Sequence, residues 1–529
     1  MPPSTSLPRL TAPAVFLLLA AMSAMGAMGA TSTHAPAHIV VAQPADIRST
    51  NPGVNRDNTT DGVLLNMLEG LVGYHENGSV GPLLAKAIDV SADGLTYTFT
   101  LRTGVKFHNG EHMTSADVLW SWNRYMNPKT DWRCLNDFDG HAGTRVVSAS
   151  APDAQTFVLQ IDKPSAIFLD NLARTDCAMA AVISKKSVRQ DGSWDKPIGT
   201  GPYKLDEWKR GEYVAMSAFA DYQSPPGNEP DGYLGLKKPQ VAQVKFLVVP
   251  DLSAAKAGLQ SGAIDAGQIT SSDVKELRAH RHLRVIVPGE ASKNTLLMQT
   301  HDPVLKDERI RLAIALSLDM RQIVEAASEG LAQVNNSAIH GKSLFYSAQQ
   351  KKGYPYDPAK ARLLLQQAGY RGQPIVIQAN KRAHVPSYTV AVLSQAMMQA
   401  AGINAQIEVL EWATQLDRYN SGNYQMSSFT YSSRLDPALS YEQFSGSKAV
   451  QPRKVWDDPD AQRLIVQSFV EADSKKRQAL FDQLHAMMMR QTPLIVLYNT
   501  SGAWAIRKRV NGYTVWEGKP LMWTASVKD

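Results

Sequence analysis

Asp93–Arg124, DGLTYTFTLRTGVKFHNGEHMTSADVLWSWNR, is the stretch that decides how this chain folds. Leu95, Tyr97, Phe99 and Leu101 alternate with Thr96, Thr98, Thr100 and Arg102, the period-2 pattern of a strand with one buried face. Asp93-Gly94 supplies the turn before it. Thr114 and Asp117 form a T-x-x-D capping box, after which Val118, Trp122, Tyr125 and Met126 recur at helical spacing. The pattern predicts strand, turn, helix. Between the two elements His108 to His112 spells H-x-x-E-H, a zinc-protease pattern. That chemistry needs both histidines on one helix face, and Asn109-Gly110 reads as a turn, so no metal is expected.

Outside this stretch the chain reads as an ordinary globular protein. Its 529 residues suffice for two or three domains, and no low-complexity tract suggests disorder. After Arg9 an apolar run rich in Ala, Leu and Met extends to about Met28, followed by small-residue sites, as in a secretory signal peptide; residues 1–30 are set aside as a cleaved leader. The only cysteines are Cys134 and Cys177, so none stands at the cleavage region to carry a lipid. In an exported chain, one disulfide between them is the economical reading, with two separate buried thiols as the alternative. The bridge would close a loop of about 44 residues and contribute about 4 kcal/mol on the chain-entropy model. The formal net charge of +6 is small for this length and its basic residues are scattered, which argues against nucleic acid as a partner.

The quoted stretch also resembles a known signature. DGLTYTFTLR-x-GVKFH-x-G-x-x-x-T-x-x-DV-x-x-SW is similar to the hallmark of the bacterial extracellular solute-binding proteins, family 5, the peptide/nickel type. PIGTGPY (197–203), SGAID (261–265) and LKDERIRLAIALSLDMRQIVEAA (305–327) resemble further hallmarks of that family. The resemblance implies an α/β, two-lobed periplasmic-binding-protein type II (cluster C) fold with an extra inserted subdomain. It divides the chain into lobe I (38–77, 199–289 and 495–529), the inserted subdomain (78–198) and lobe II (290–494), with crossings near Pro288 and Leu494. From Glu290 onward strands and helices alternate, which predicts a mostly parallel, doubly wound lobe.

Two routes select candidate ligand contacts. Ligands of open α/β sheets sit beyond the carboxyl ends of strands, which points to Asn380, Trp412 and the loop Tyr431 to Pro437. The resemblance points to the same places, and adds Arg56, Asp57 and Asn58 in the loop before the first helix, together with Gln268. Peptide-binding members carry an Asp in the 431–437 loop that neutralises the ligand ammonium. This chain offers Ser433 or Arg434 there, so the amine anchor is absent or moved to Asp436. Arg434 would suit a carboxylate or phosphate; pairing with Asp436 is the alternative.

The function implied is a periplasmic solute-binding component of an ABC importer, acting as a monomer with membrane permease subunits. It would carry a small peptide or peptide-like solute, without cofactor or catalysis. The alternatives are an anionic non-peptide solute such as an opine or phosphorylated sugar conjugate, and, from another class, a periplasmic hydrolase or a sensor. No G-x-S-x-G motif or metal-ligand spacing favours the hydrolase.

Overall fold

The computed structural model describes residues 37–54, 57–141, 144–382 and 385–528; the expected leader and Arg56 lie outside the described residues. Two sheets organise the chain. The first has seven strands in the order Leu283–Ile286, Ala503–Arg507, Ala266–Ile269, His38–Gln43, Gln243–Val248, Tyr213–Ala218 and Tyr203–Lys209. The second has five, in the order Ala405–Val409, Ile375–Ala379, Met426–Tyr431, Gly289–Met298 and Leu494–Ser501. Each sheet anchors one lobe of an α/β fold.

A four-stranded antiparallel sheet, Ala85–Val90, Thr96–Leu101, Thr156–Ile161 and Val146–Asp153, forms the inserted subdomain. In Thr96–Leu101 the residues Tyr97, Phe99 and Leu101 are buried and the intervening threonines half-buried, the alternation read from sequence. Helix Ser115–Tyr125 begins at Thr114, whose backbone N–H and hydroxyl both donate to the Asp117 carboxylate at 2.9 Å; Val118, Trp122 and Tyr125 then face the core.

The H-x-x-E-H segment is a turn, and His108 has a structural use. Its Nε2 donates to Gly201 O at 3.0 Å while its Nδ1 accepts from Gly199 N–H at 3.3 Å, a pairing that one neutral tautomer satisfies. Burial pushes this imidazole down to about 4. The ring pins PIGTGPY, where the chain returns to the first sheet. Glycine is required there: a Cβ on Gly201 would stand 2.5 Å from the carbonyl carbon of Met67.

Two features differ from the sequence expectation. Only the pairings of Ile375–Ala379 with its two neighbours are parallel; Gly289–Met298 runs antiparallel to both Met426–Tyr431 and Leu494–Ser501. The second lobe is therefore mixed, because the strands that cross between lobes enter its sheet in opposite directions. The second crossing also falls later. Leu494–Ser501 remains in the five-stranded sheet and Ala503–Arg507 begins in the seven-stranded one, which places the switch at Gly502 and not at Leu494. Among the described residues no helix is long and apolar enough to cross a membrane.

Candidate functional site

A cavity of about 1080 Å³ lies between the lobes. Its walls come from the start of helix Asn58–Leu64, subdomain residues 133–141, 144 and 163–176, Glu290 and Ser292 on the crossing strand, residues 432–442 of lobe II, and the C-terminal hairpin at Glu517 and Lys519. A volume of this size encloses a drug-sized solute.

The subdomain wall is basic, and a disulfide organises it. Cys134 and Cys177 are bonded, with Cα atoms 5.9 Å apart, and the flanking residues Arg133 and Asp176 are thereby brought face to face. Arg133 Nη2 lies 3.0 Å from Asp176 Oδ2. Arg174 grips the same carboxylate through Nε at 3.1 Å and Nη2 at 3.0 Å, and reaches Asp137 through Nη1 at 2.5 Å. Burial opposes ionisation of Asp176, but Arg174, Arg133 and Arg434 outweigh it and hold the carboxyl well below its usual range. Burial wins at Asp137, which is raised despite Arg174. Arg434 comes from the lobe II side, its Nη1 donating to Ser433 O at 2.8 Å and to Ser432 Oγ at 3.2 Å. Three guanidinium groups thus surround two carboxylates, a surplus of positive charge suited to a solute carboxylate.

The wall formed by the crossing strand and the C-terminal hairpin is acidic. Its centre is the two-residue turn Glu517-Gly518, closed by the pairing of Trp516 with Lys519. Both turn residues have positive φ, 47° and 75°, the pattern of a type I′ hairpin that favours Asn, Asp or Gly. A glutamate there is strained by about 1–2 kcal/mol. The turn sits tightly among polar neighbours: a Cβ on Gly518 would come within 3.3 Å of Asn58 Nδ2 and 3.4 Å of Glu290 Oε1. Both Glu517 oxygens accept from Ala291 N–H at 3.0 Å, and Oε2 also accepts from the Ser433 hydroxyl at 2.8 Å, a bond that reaches across from lobe II.

Asp61, in the first helix, completes this wall. It is 3% exposed, lines the cavity, and has no hydrogen-bond or ion-pair partner for its carboxylate among the described residues. Burial pushes Asp61 up to about 7. Burial, with the Glu517 charge adding to it, pushes Glu290 up to about 7 as well. Glu517 is also raised by burial, against its bonds to Ala291 and Ser433. The nearby cations are Lys519, whose ammonium donates to Glu517 O at 3.3 Å, and Lys293, pushed down to about 7 by burial and by Arg434.

The model of the bacterial extracellular solute-binding proteins, family 5 Middle, matches residues 79–451, which span both the subdomain and most of the second lobe. The chain belongs to this family. Its function is accordingly that of a solute-binding protein. The glutathione-binding protein GsiB of Salmonella choleraesuis (strain SC-B67) is 27% identical over 394 residues, covering 74% of this chain and 73% of the relative. HbpA2 from Haemophilus parasuis superposes with a TM-score of 0.80 at 22% identity, over 93% of this chain and 100% of the other. The ABC transporter-associated periplasmic binding protein DppA from Helicobacter pylori, in complex with the peptide STSA, gives a TM-score of 0.69 at 24% identity, over 93% and 98%.

Within this family member, the residues expected from sequence separate into two groups. Asn58, Ser433 and Arg434 line the cavity, as does Asp57, which caps the first helix by accepting from Thr60 N–H at 2.8 Å. Arg56 lies outside the described residues. Gln268, Asn380, Trp412, Tyr431 and Asp436 are not among the lining residues. Gln268 is in the seven-stranded sheet opposite Trp504. Asn380 is buried, donating to Gln415 Oε1 at 2.7 Å and accepting from Arg382 Nε at 3.2 Å. The Arg382 guanidinium covers the Trp412 ring at 3.8 Å. Tyr431 is buried in an aromatic cluster with Phe429 and Phe444, its hydroxyl 3.5 Å from that of Tyr419.

Asp436 is neither an amine anchor exposed to the cavity nor the partner of Arg434. It caps helix Pro437–Glu442 and is held by Arg477 through two bonds of 2.7 and 2.9 Å, both residues being buried. A carboxylate next to the 431–437 loop comes from Glu517, which accepts from the Ser433 hydroxyl. Asp61, Arg133, Arg174, Glu290 and Glu517 were not legible as a site, since they come from segments far apart in the chain. The single local hint was Glu-Gly in a two-residue turn.

Proposed function

We propose that this chain is the exported, monomeric binding component of an ABC importer, and that its solute is a short peptide or peptide-like zwitterion held in the interlobe cavity. The carrying observation is that the cavity is lined by charged groups of both signs, Arg133, Arg174 and Arg434 together with Asp61, Glu290 and Glu517. Asn58, Ser433 and Arg434 are the contacts that sequence and cavity share. The resemblance to the glutathione-binding protein GsiB supports the same class, since glutathione carries one ammonium and two carboxylates. The solute acts by binding the closed arrangement of lobes more tightly than the open one, and leaves unchanged chemically.

Native mass spectrometry of protein purified without refolding, followed by calorimetry with glutathione and with di- and tripeptides, tests this reading. Micromolar or tighter binding of a peptide is expected; turnover of the peptide, or binding only of a non-peptide solute, would sink it. The second reading, an anionic non-peptide solute, is favoured by the three guanidinium groups. Arg434→Ala decides how far it holds: unchanged affinity for the true solute would rule out an anion anchor at this residue.

A further inference from the structure

Lobe II holds a second cavity, of about 570 Å³, that shares no lining residue with the one between the lobes. It is bounded by one face of the five-stranded sheet and by the last turn of helix Trp412–Ser421. Val376 and Gln378 stand two apart on one strand, and Glu408 is opposite Gln378 on the next, so these three share that face.

Lys448 decides what this cavity takes. It lines the cavity and is 7% exposed. Its ammonium donates to Gln299 Oε1, and no carboxylate among the described residues stands within ion-pair distance of it. Asp457, the acid that acts on it through space, is occupied elsewhere, accepting from the Lys448 backbone N–H and from Gln462 Nε2, both at 3.0 Å. Burial pushes the Lys448 ammonium down to about 8, which leaves it mostly charged at neutral pH. An ammonium has three protons to donate, and one of them is matched. The acids that line the cavity are engaged by contrast. Glu408 pairs with Arg418 at 2.6 Å, and Asp302 accepts from the Val304 and Leu305 N–H groups at 2.9 and 3.0 Å and from Gln425 Nε2 at 3.1 Å. Gln378 and Tyr424 add a separate observation. Both line the cavity and are buried, yet the Gln378 side-chain carbonyl and the Tyr424 hydroxyl have no hydrogen-bond partner among the described residues. Polar groups are rarely buried in that state, and a buried cation is more costly to leave without a counter-charge than a neutral group without a partner.

We propose that this cavity is a second ligand site, for a small anion bearing a carboxylate or a phosphate, with Lys448 as its charge anchor. The oxygens of the anion accept the ammonium protons that Gln299 leaves free, and its charge supplies what Asp302 and Glu408, already paired, do not. The assignment is independent of which solute occupies the interlobe cavity.

The test titrates the purified protein with sodium malate and with sodium phosphate, by calorimetry at neutral pH and constant ionic strength. Saturable binding of one or both, with millimolar affinity or tighter, is expected; which of the two saturates tells a carboxylate site from a phosphate site. Lys448→Gln keeps an N–H for Gln299 and should weaken that binding about 10-fold or more, the loss typical of a hydrogen bond to a charged group. Ser421→Trp fills the cavity from an exposed position on its rim and should abolish binding without disturbing the core, so it carries the decision if Lys448→Gln does not fold. Wild type that binds neither anion overturns the proposal. So does binding that survives Ser421→Trp, or that Arg434→Ala abolishes, since such an anion belongs between the lobes.

Discussion

Asn380 and Asp61 are both polar side chains almost fully withdrawn from water, and their surroundings differ in one respect. Asn380 belongs to a closed network in lobe II: its amide donates to Gln415, which in turn donates to Ser427 Oγ at 2.9 Å and Ser428 O at 3.0 Å. The Asp61 carboxylate has no such partner among the described residues, and burial raises it toward neutral pH. A few residues away from the Asn380 network, Asp436 and Arg477 form an equally closed pair. Polar residues at strand ends can therefore serve packing as readily as ligand. What separates the two regions is whether the hydrogen-bonding capacity is used up inside the protein.

The sharpest way to break this contrast is at the closed pair. Arg477→Ala leaves Asp436 as an unpaired buried charge and should lower stability by about 3–5 kcal/mol, measured by denaturant unfolding, with solute affinity of the folded fraction changed little. A large loss of affinity with stability intact would show that Asp436 serves the ligand after all. Removing the disulfide with Cys134→Ala/Cys177→Ala should cost about 2–4 kcal/mol. Affinity should fall too, because Arg133 and Asp176 would no longer be held together. Asn380→Ala should cost about 1–3 kcal/mol by leaving Gln415 short of a partner, again without a matching change in binding.

The smallest expected effect is a gain. Ala180 is the last of three consecutive residues with positive φ, 52°, 54° and 44°, directly after Cys177. Ala180→Gly relieves a left-handed alanine and should stabilise by about 0.5–1 kcal/mol, seen as a rise in the melting midpoint.

Asp176, on one side, and Asp61 with Glu290, on the other, predict opposite pH behaviour. Burial holds Asp61 and Glu290 at folded values of about 7, above their ordinary 3.8 and 4.5. Between those limits the native protein binds more protons than the unfolded chain, so their contribution to stability declines as pH rises through that window. Asp176 is held low by Arg174, so its contribution is present above pH 3.8 and declines as pH falls below it. Comparing Asp61→Asn with wild type from pH 5 to 8 should flatten the first slope; an unchanged slope would mean that Asp61 is not the titrating group.

The local elements were legible in the residues themselves. Alternation at Tyr97, Phe99 and Leu101 and the Thr114–Asp117 box specify conformation through contacts a few residues apart, and the folded chain keeps them. The family followed from that same stretch. The antiparallel pairings of Gly289–Met298 in the second lobe were not legible, because its partner strands lie more than a hundred residues further along the chain. The candidate site was half legible. Asn58, Ser433 and Arg434 could be named because they stand in recognisable segments. Asn380, Trp412 and Asp436 look identical in sequence whether their polar atoms face a cavity or a neighbour, and Gln415, Arg382 and Arg477 decide that only once the chain has folded. Charge pairing and burial are properties of three-dimensional neighbourhoods. The sequence alone thus determined strand, turn, helix and lineage, while the tertiary structure decided which carboxylates are paired within the protein and which are left lining the cavity.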